Sequence, residues 1–515
     1  MLMAGWFLSH RCAVPKPNQI MTALAVLTTL ILLGLPGFIS PWVSLLGWVC
    51  ALSIQFETSP DFRLALPDLF VPALALTLLL ARTRVRGKTR QKRSSLSALI
   101  LIFAAVFLLW GNAMTYIELG TIPRWTWLNK DIGLLDLMIC FFTVTQLVDR
   151  REKLHTLVTA LVLSGSLLNI LALAGGIARY FFGIPNLMMY ASTSTRLVGF
   201  MVNPSAYGGF ISCILLIQLA LLFSGSTLLR LPRWLQGANV VLLSVACIMT
   251  ISRASILGLI AGLLALISFY HLKATFGLVS LALVAVLTIS AVTYWRGLYP
   301  GVADNFRSIF FGESTVDARM VINRAAMDMF FESPTNVITG IGVGTFLARQ
   351  EREVPDPEII HNEFLWLLVE TGVLGLSLFV GMILRSLRNC FAVSRARTTD
   401  RSIAVGVACS IVFFLVWMQG GEGLWQRHVW LLLGLSEVCY RLQMKDRSVA
   451  PPPWSAQLPT ATRAGRSNLR LLLPLRPGRC VVAKQARRCH GDAAGLPVRY
   501  SPALLPHPGI RRHGP

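Results

Sequence analysis

Charge is scarce in this sequence. Charged residues make up 14% of its 515 residues and hydrophobic residues 54%, against roughly 25% charged in an average soluble chain. That balance excludes a soluble enzyme, a disordered chain and a fibrous protein. Acid is the scarcer sign, with 24 Asp and Glu against 47 Lys and Arg and a formal charge of +23. In a soluble chain such an excess would suggest nucleic acid. Here residues 447 to 515 hold 12 basic residues and one acid, Asp492, and much of the remaining excess lies in short loops between apolar runs, as on the cytoplasmic side of a membrane protein. Nucleic acid is therefore not expected as a partner. The ten cysteines form no C-x-x-C or zinc-type spacing. Six of them (Cys50, Cys140, Cys213, Cys247, Cys409 and Cys439) lie inside apolar runs and read as small packing residues. No D-x-D, H-x-H, G-x-S-x-G or Walker pattern occurs, so neither a metal nor a cofactor is expected. There is no internal repeat.

What the chain has in quantity is long apolar runs. Runs near 20 residues are what a helix needs to cross about 30 Å of hydrocarbon. They lie at 20–35, 41–56, 64–80, 96–114, 132–148, 154–177, 205–224, 238–251, 255–270, 275–294, 364–384, 402–418 and 428–440. The first follows Arg11 and Lys16 without a small-x-small cleavage site, so it reads as a retained span. Basic clusters at Arg82–Arg93, Arg150–Lys153, Arg230–Arg233 and Arg385–Arg401 should be cytoplasmic. The fold predicted is all-α, a polytopic bundle of about 12 crossings, with 20–56 holding one span and a shorter re-entrant or interfacial piece. A cytoplasmic segment 1–19 precedes a membrane domain 20–445. A basic, Pro-rich tail 446–515 follows, expected to be disordered. Its Arg, Pro, Leu and Ala content also resembles a reading frame translated out of phase.

The long outer loop, 295–360, has its own periodicity. Ser314 or Thr315 can cap a helix on which Val316, Met320, Met327, Phe330 and Phe331 share one face, ending before Pro334. Such a helix would lie on the outer membrane surface.

Three arginines and one histidine stand at or beyond the outer ends of spans. Arg196 precedes a span in Arg196-Leu-Val-Gly199-Phe-Met-Val-Asn203-Pro204. Arg253 follows Thr250-Ile-Ser252 between two short apolar runs with almost no loop to lift it into water. An ionisable group at that depth is costly and functional by default, although an arginine can also snorkel to the interface. Arg319 lies on the loop helix without an acidic neighbour at i±3 or i±4, whereas Arg324 has Asp328 four residues on. It could hold an anion, or be an arginine solvated among lipid headgroups. His361 stands where the loop re-enters the membrane, and only it and His428 lie near the outer face of the helical core; a lone histidine is more often structural than catalytic. Gly340-Ile-Gly342-Val-Gly344 allows a tight turn or a close approach of backbone to phosphate. Three cations around a neutral imidazole suit a diphosphate leaving group, the imidazole taking the proton of an attacking hydroxyl.

These residues resemble a known family. Arg196 to Pro204, Ser252-Arg253, Arg319 through Pro334 into Gly340–Gly344, and His361-Asn-x-Phe-Leu followed by Glu370-Thr-Gly372-Val-Leu-Gly375 together look like the O-antigen ligase and polymerase family of bacterial inner-membrane enzymes. The similarity covers about 190–385. Ser205 departs from it where a second asparagine often follows Asn-Pro, and Asn323 where an aromatic often stands. The resemblance implies a metal-independent, inverting glycosyltransferase using undecaprenyl diphosphate-linked glycan as donor. It implies that Arg196 and Arg253 bind the diphosphate, that Arg319 contacts diphosphate or donor, and that His361 is catalytic. The reading drawn is an O-antigen ligase that transfers polysaccharide to lipid A-core on the periplasmic face of the inner membrane, with membrane lipids as surroundings. An O-antigen or exopolysaccharide polymerase of the same family is the alternative. A lipid or sugar transporter is the third reading; transporters often carry internal repeats and broken helices in matching halves.

Overall fold

A computed structural model of the protein describes residues 40–59, 62–84, 94–182, 196–201, 203–270, 314–353, 358–396 and 400–449. The described residues all belong to one compact unit that ends at Val449. The N-terminal segment 1–19, the apolar runs 20–35 and 275–294, and the tail beyond 449 lie outside them.

The helices in chain order are α1 (Pro41–Ala51), α2 (Val71–Arg84), α3 (Ser95–Ala105), α4 (Asn112–Leu119), α5 (Ile132–Leu147), α6 (Arg151–Phe182), α7 (Pro204–Phe223), α8 (Arg233–Met249) and α9 (Arg253–Tyr270). They continue as α10 (Ser314–Phe331), α11 (Pro334–Thr339), α12 (Thr345–Glu353), α13 (Glu363–Ser394), α14 (Arg401–Trp417) and α15 (Arg427–Val449). A π-helical turn, Val106–Gly111, joins α3 to α4, and another, Thr126–Asp131, leads into α5. The described residues are helical as expected, apart from one short ribbon. Strands β1 (Gln55–Ser59) and β2 (Phe62–Ala65) pair antiparallel with Glu57 opposite Arg63, so the run expected to reach 56 gives way to a ribbon where polar residues begin to alternate.

Five described helices are long and apolar enough to cross a membrane: Ser95–Leu119, Arg151–Ala178, Pro204–Phe223, Arg253–Tyr270 and Glu363–Ser394. The protein is thus a multi-pass helical membrane protein. Pro41–Ala51, Leu66–Leu79, Arg233–Met249 and Arg401–Trp417 are apolar but shorter. With 11 residues, α1 reaches only about 16 Å at 1.5 Å per residue, about half the hydrocarbon depth. The 17-residue α14 is buried along nearly its whole length. It packs on α7, α9, α13 and α15, so protein covers most of its surface from Ser402 to Trp417.

The contacts sort the helix ends into two sets. At one end, Arg151 at the start of α6 pairs with Asp400 (2.9 Å) and with Asp446 near the end of α15, and His155 Nε2 lies 3.0 Å from the same Asp400. Two of the basic clusters read from the sequence, 150–153 and 385–401, therefore share a side. Arg401 at the start of α14 lies over the Tyr270 ring at the end of α9. The opposite end gathers the segment 196–204, the α8–α9 junction, the start of α13 and the segment 418–427, tied by backbone bonds from Leu197 to Met249 (2.9 Å) and from Glu363 to Met418 (3.0 Å).

Candidate functional site

Each candidate residue is held by local chemistry that its neighbours explain. Arg196 is half-buried, and its Nε donates to the Thr250 carbonyl at 2.9 Å, which fixes it against the end of α8. The chain then turns through Ile251, one of two non-glycine residues among those described with positive φ (49°). It restarts as α9 with Arg253 as its first residue. Ser252 caps that start, its hydroxyl accepting from Ser255 N (3.3 Å) and donating to Ser205 Oγ (3.1 Å). Ser205, the departure from the family's asparagine, thus joins a serine cluster beside Arg253. Asn203 caps α7 from the same side, accepting from Ser205 N at 2.7 Å.

Arg319 lies exposed on α10. No described carboxylate lies within ion-pair distance of it, whereas Arg349 on α12 pairs with Glu332 and Glu118. Arg324 and Asp328, expected as helix-face partners, form no ion pair among the described residues. The buried stripe of α10 is Ile322, Ala326, Met329 and Phe330, while Met320 is 56% and Phe331 65% exposed. Of the face read from the sequence, Phe330 is buried and Met327 packs against the core, while Met320 and Phe331 turn outward. Both sides of this helix carry large apolar residues, and packing on α13 selects one.

His361 is half-buried just before α13. Its neighbour Asn362 caps that helix, accepting from Phe364 N (3.1 Å) and Leu365 N (3.2 Å), and its amide donates to Gln419 Oε1 at 3.1 Å. Gln419 adjoins Gly420, and there the arrangement closes. A Cβ on Gly420 would stand 3.6 Å from Arg319 Nη1 and 3.3 Å from Ala254 Cβ, next to Arg253. Sequence reasoning passed over this segment, Gln419-Gly-Gly-Glu422-Gly423, although three glycines around a lone acid between two apolar runs were a signal.

Electrostatics join the four residues. Burial lowers the affinity of Arg196 for its proton, and the charges of Arg319 and Arg253 lower it further. Burial likewise holds the His361 imidazole below its ordinary value, and Arg319 adds to that against the opposing Glu422 and Glu358. The imidazole is thereby neutral at pH 7, and the arginines repel one another in a setting that an anion would stabilise. His428, by contrast, is buried between the rings of Phe210 and Phe414 and is a packing residue.

The glycine-rich turn does not present free backbone to a phosphate. Gly340, Gly342 and Gly344 have φ of 73°, 100° and 80°, and their amides are engaged: Gly340 N donates to Asn336 O (2.8 Å), Gly342 N to Glu370 O (3.1 Å) and Gly344 N to Glu370 Oε2 (2.8 Å). A break in α13 makes this possible. Gly372, at φ 67°, interrupts the helix, so the carbonyls of Val369 and Glu370 accept from Ile341 and Gly342. Among the described residues, no three His, Cys, Asp or Glu side chains gather as metal ligands would.

A multi-pass helical membrane protein with arginines and a neutral imidazole at one end of its bundle is the class that fold and site define. Residues 238–380 match the family model described as O-antigen ligase. The chain carries an O-antigen ligase domain there, and that stretch belongs to the ligase and polymerase family whose motifs the sequence resembles. It includes Arg253, Arg319 and His361, and Arg196 lies before it. No curated protein matches the chain.

Proposed function

We propose that the protein is an O-antigen ligase-like, inverting glycosyltransferase that needs no metal. It transfers polysaccharide from undecaprenyl diphosphate to lipid A-core at the periplasmic face of the bacterial inner membrane. One observation supports the reading: Gln419 bonds to Asn362, the neighbour of His361, while the adjoining Gly420 lies against Arg319 and Ala254, the neighbour of Arg253, so cations suited to a diphosphate and a base suited to a proton meet at one segment. In the reaction, an acceptor hydroxyl oxygen bonds to the anomeric carbon of the donor while that carbon's bond to the diphosphate oxygen breaks. His361 takes the hydroxyl proton. Arg196, Arg253 and Arg319 neutralise the charge gathering on the departing undecaprenyl diphosphate. The arginine side chains are the phosphate-facing groups in this reading, because the amides of the glycine turn are engaged elsewhere.

The test is the lipopolysaccharide profile of a strain lacking the gene, with its undecaprenyl-linked glycan pool. A ligase leaves lipid A-core without O-antigen while long polymer accumulates on undecaprenyl diphosphate. Lipid A-core capped with single repeat units would assign a polymerase instead, and an unchanged profile would exclude both.

A further inference from the structure

The loop between α14 and α15 hangs from the residues that follow His361. Glu363 pins both of its shoulders: its amide donates to Met418 O at 3.0 Å, and its Oε2 accepts from Leu424 N at 3.2 Å. Asn362 adds the bond to Gln419 Oε1 (3.1 Å). Within the loop, Gly420 N donates to Trp417 O (3.0 Å) and Gln426 N to Gly423 O (3.0 Å). A Cβ on Gly421 would stand 2.8 Å from the Trp417 ring, and one on Gly423 would stand 2.3 Å from Met418. The loop is therefore fixed against the end of its own helix, and Glu422 is the one charged residue in 418–426. Glu422 is half-buried. It shares the wall of a small cavity with Ile359, Ile360 and Glu363, residues that flank His361 on both sides in the chain.

The histidine needs a negative charge in that place. As the acceptor oxygen bonds to the anomeric carbon and that carbon's bond to the diphosphate oxygen breaks, the hydroxyl proton passes to His361, and a further cation forms among arginines. Burial and Arg319 oppose that cation, whereas Glu422 and then Glu358 favour it. The other charged groups facing Glu422 are Glu363 and Glu370 on α13 and Lys130 on the turn before α5. The Lys130 ammonium lies over the rings of Trp425 (4.5 Å) and Trp366 (4.9 Å). Glu358 is exposed, so water and salt screen it more than the half-buried Glu422. We propose that Glu422 is a positioning residue for the transfer: the pinned loop holds its carboxylate beside the stretch that carries His361, where it offsets the charge the imidazole gains with the proton. The proposal rests on the reaction given above. It gives the loop a chemical task beyond packing, which is to bring one anion to a base that stands among three cations.

The experiment follows the histidine directly. The full chain with isotope-labelled histidine is placed in lipid nanodiscs, the His361 resonance is assigned by its loss in His361→Gln, and its titration is read by NMR. Transfer of glycan from undecaprenyl diphosphate to lipid A-core is measured across pH in the same preparations. Glu422→Gln is expected to move both the titration and the inflection of activity to lower pH, because removing an anion weakens the imidazole's hold on its proton. Transfer should fall about tenfold, less than on loss of the base itself. Glu422→Asp, which keeps the charge, should restore most of both, and Glu358→Gln should move the titration less. Should Glu422→Gln fail to accumulate, Glu422→Ala, which removes the same charge, is measured in its place. A titration unchanged by loss of the Glu422 charge, or moved further by Glu358→Gln, would overturn the proposal. A titration that moves as expected in a protein that transfers no glycan would sustain the pairing of Glu422 with His361 while removing the transfer reading.

Discussion

Arg319 is the residue whose loss should be felt at two places. Arg319→Ala is expected to lower glycan transfer about 10²- to 10³-fold, and His361→Ala about 10²- to 10⁴-fold. Protein level should be near normal for the first, because Arg319 is exposed and such changes cost little stability. Full transfer in both variants would remove the site. The pH dependence follows from the same contact. Because burial and then Arg319 depress His361, the base is neutral down to a pH below the ordinary imidazole value of about 6.5. Activity should therefore rise with pH through an inflection below that value. Removing the like charge in Arg319→Gln raises the imidazole's proton affinity, so the inflection of the residual activity should move up. A pH–rate profile that stays in place would separate the two residues. Both were legible in the sequence, as ionisable groups at the edges of apolar runs. The three tryptophans around Lys130 were not, since Trp125, Trp366 and Trp425 come from three separate stretches and no local pattern links them.

At the scale of elements, the break in α13 supports the loop that leads to the histidine. A Cβ on Gly372 would stand 2.2 Å from the Ile338 carbonyl oxygen, at φ 67°. Gly372→Ala should therefore cost about 2 kcal/mol or more, read as a lowered unfolding temperature of the solubilised protein. Gly420→Val tests the opposite case. The added side chain enters the space between Arg319 and Ala254, so transfer should fall while unfolding temperature changes much less. The helices themselves were readable because each apolar run supplies its own backbone hydrogen bonds. The buried side of α10 was not, because Met320 and Phe331 are as apolar as Met329 and Phe330, and only the neighbour α13 distinguishes them. Alternate glycines likewise announced a special backbone at 340–344 without saying whether a ligand or another helix approaches it.

For the whole molecule, the expected outcome of deleting residues 450–515 is a correctly inserted, active protein, because that stretch has a basic, Pro-rich composition without apolar periodicity. Loss of transfer with normal insertion would give the tail a role. Sidedness follows from the two sets of helix ends. In a variant without native cysteines, a cysteine at Gln419 should react with a membrane-impermeant maleimide added to intact spheroplasts, and one at Arg151 should react only after lysis. The reverse pattern would turn the proposed site toward the cytoplasm. The general architecture followed from charge scarcity and run length. The span count did not, because a helix such as α14, enclosed by its neighbours, need not match the bilayer by itself.

That enclosure has a consequence for how the protein is made. Among the described helices that pack on α14, three (α7, α9 and α13) precede it in the chain and α15 follows. Synthesis runs from the N-terminus, so the cradle for α14 leaves the ribosome before α14 does. The segment 418–426, which brings Gly420 to Arg319 and Gln419 to Asn362, emerges after every other part of the site. A nascent or prematurely terminated chain therefore holds the arginines and the histidine without the piece that gathers them. The enzyme becomes competent only near the completion of its own membrane domain.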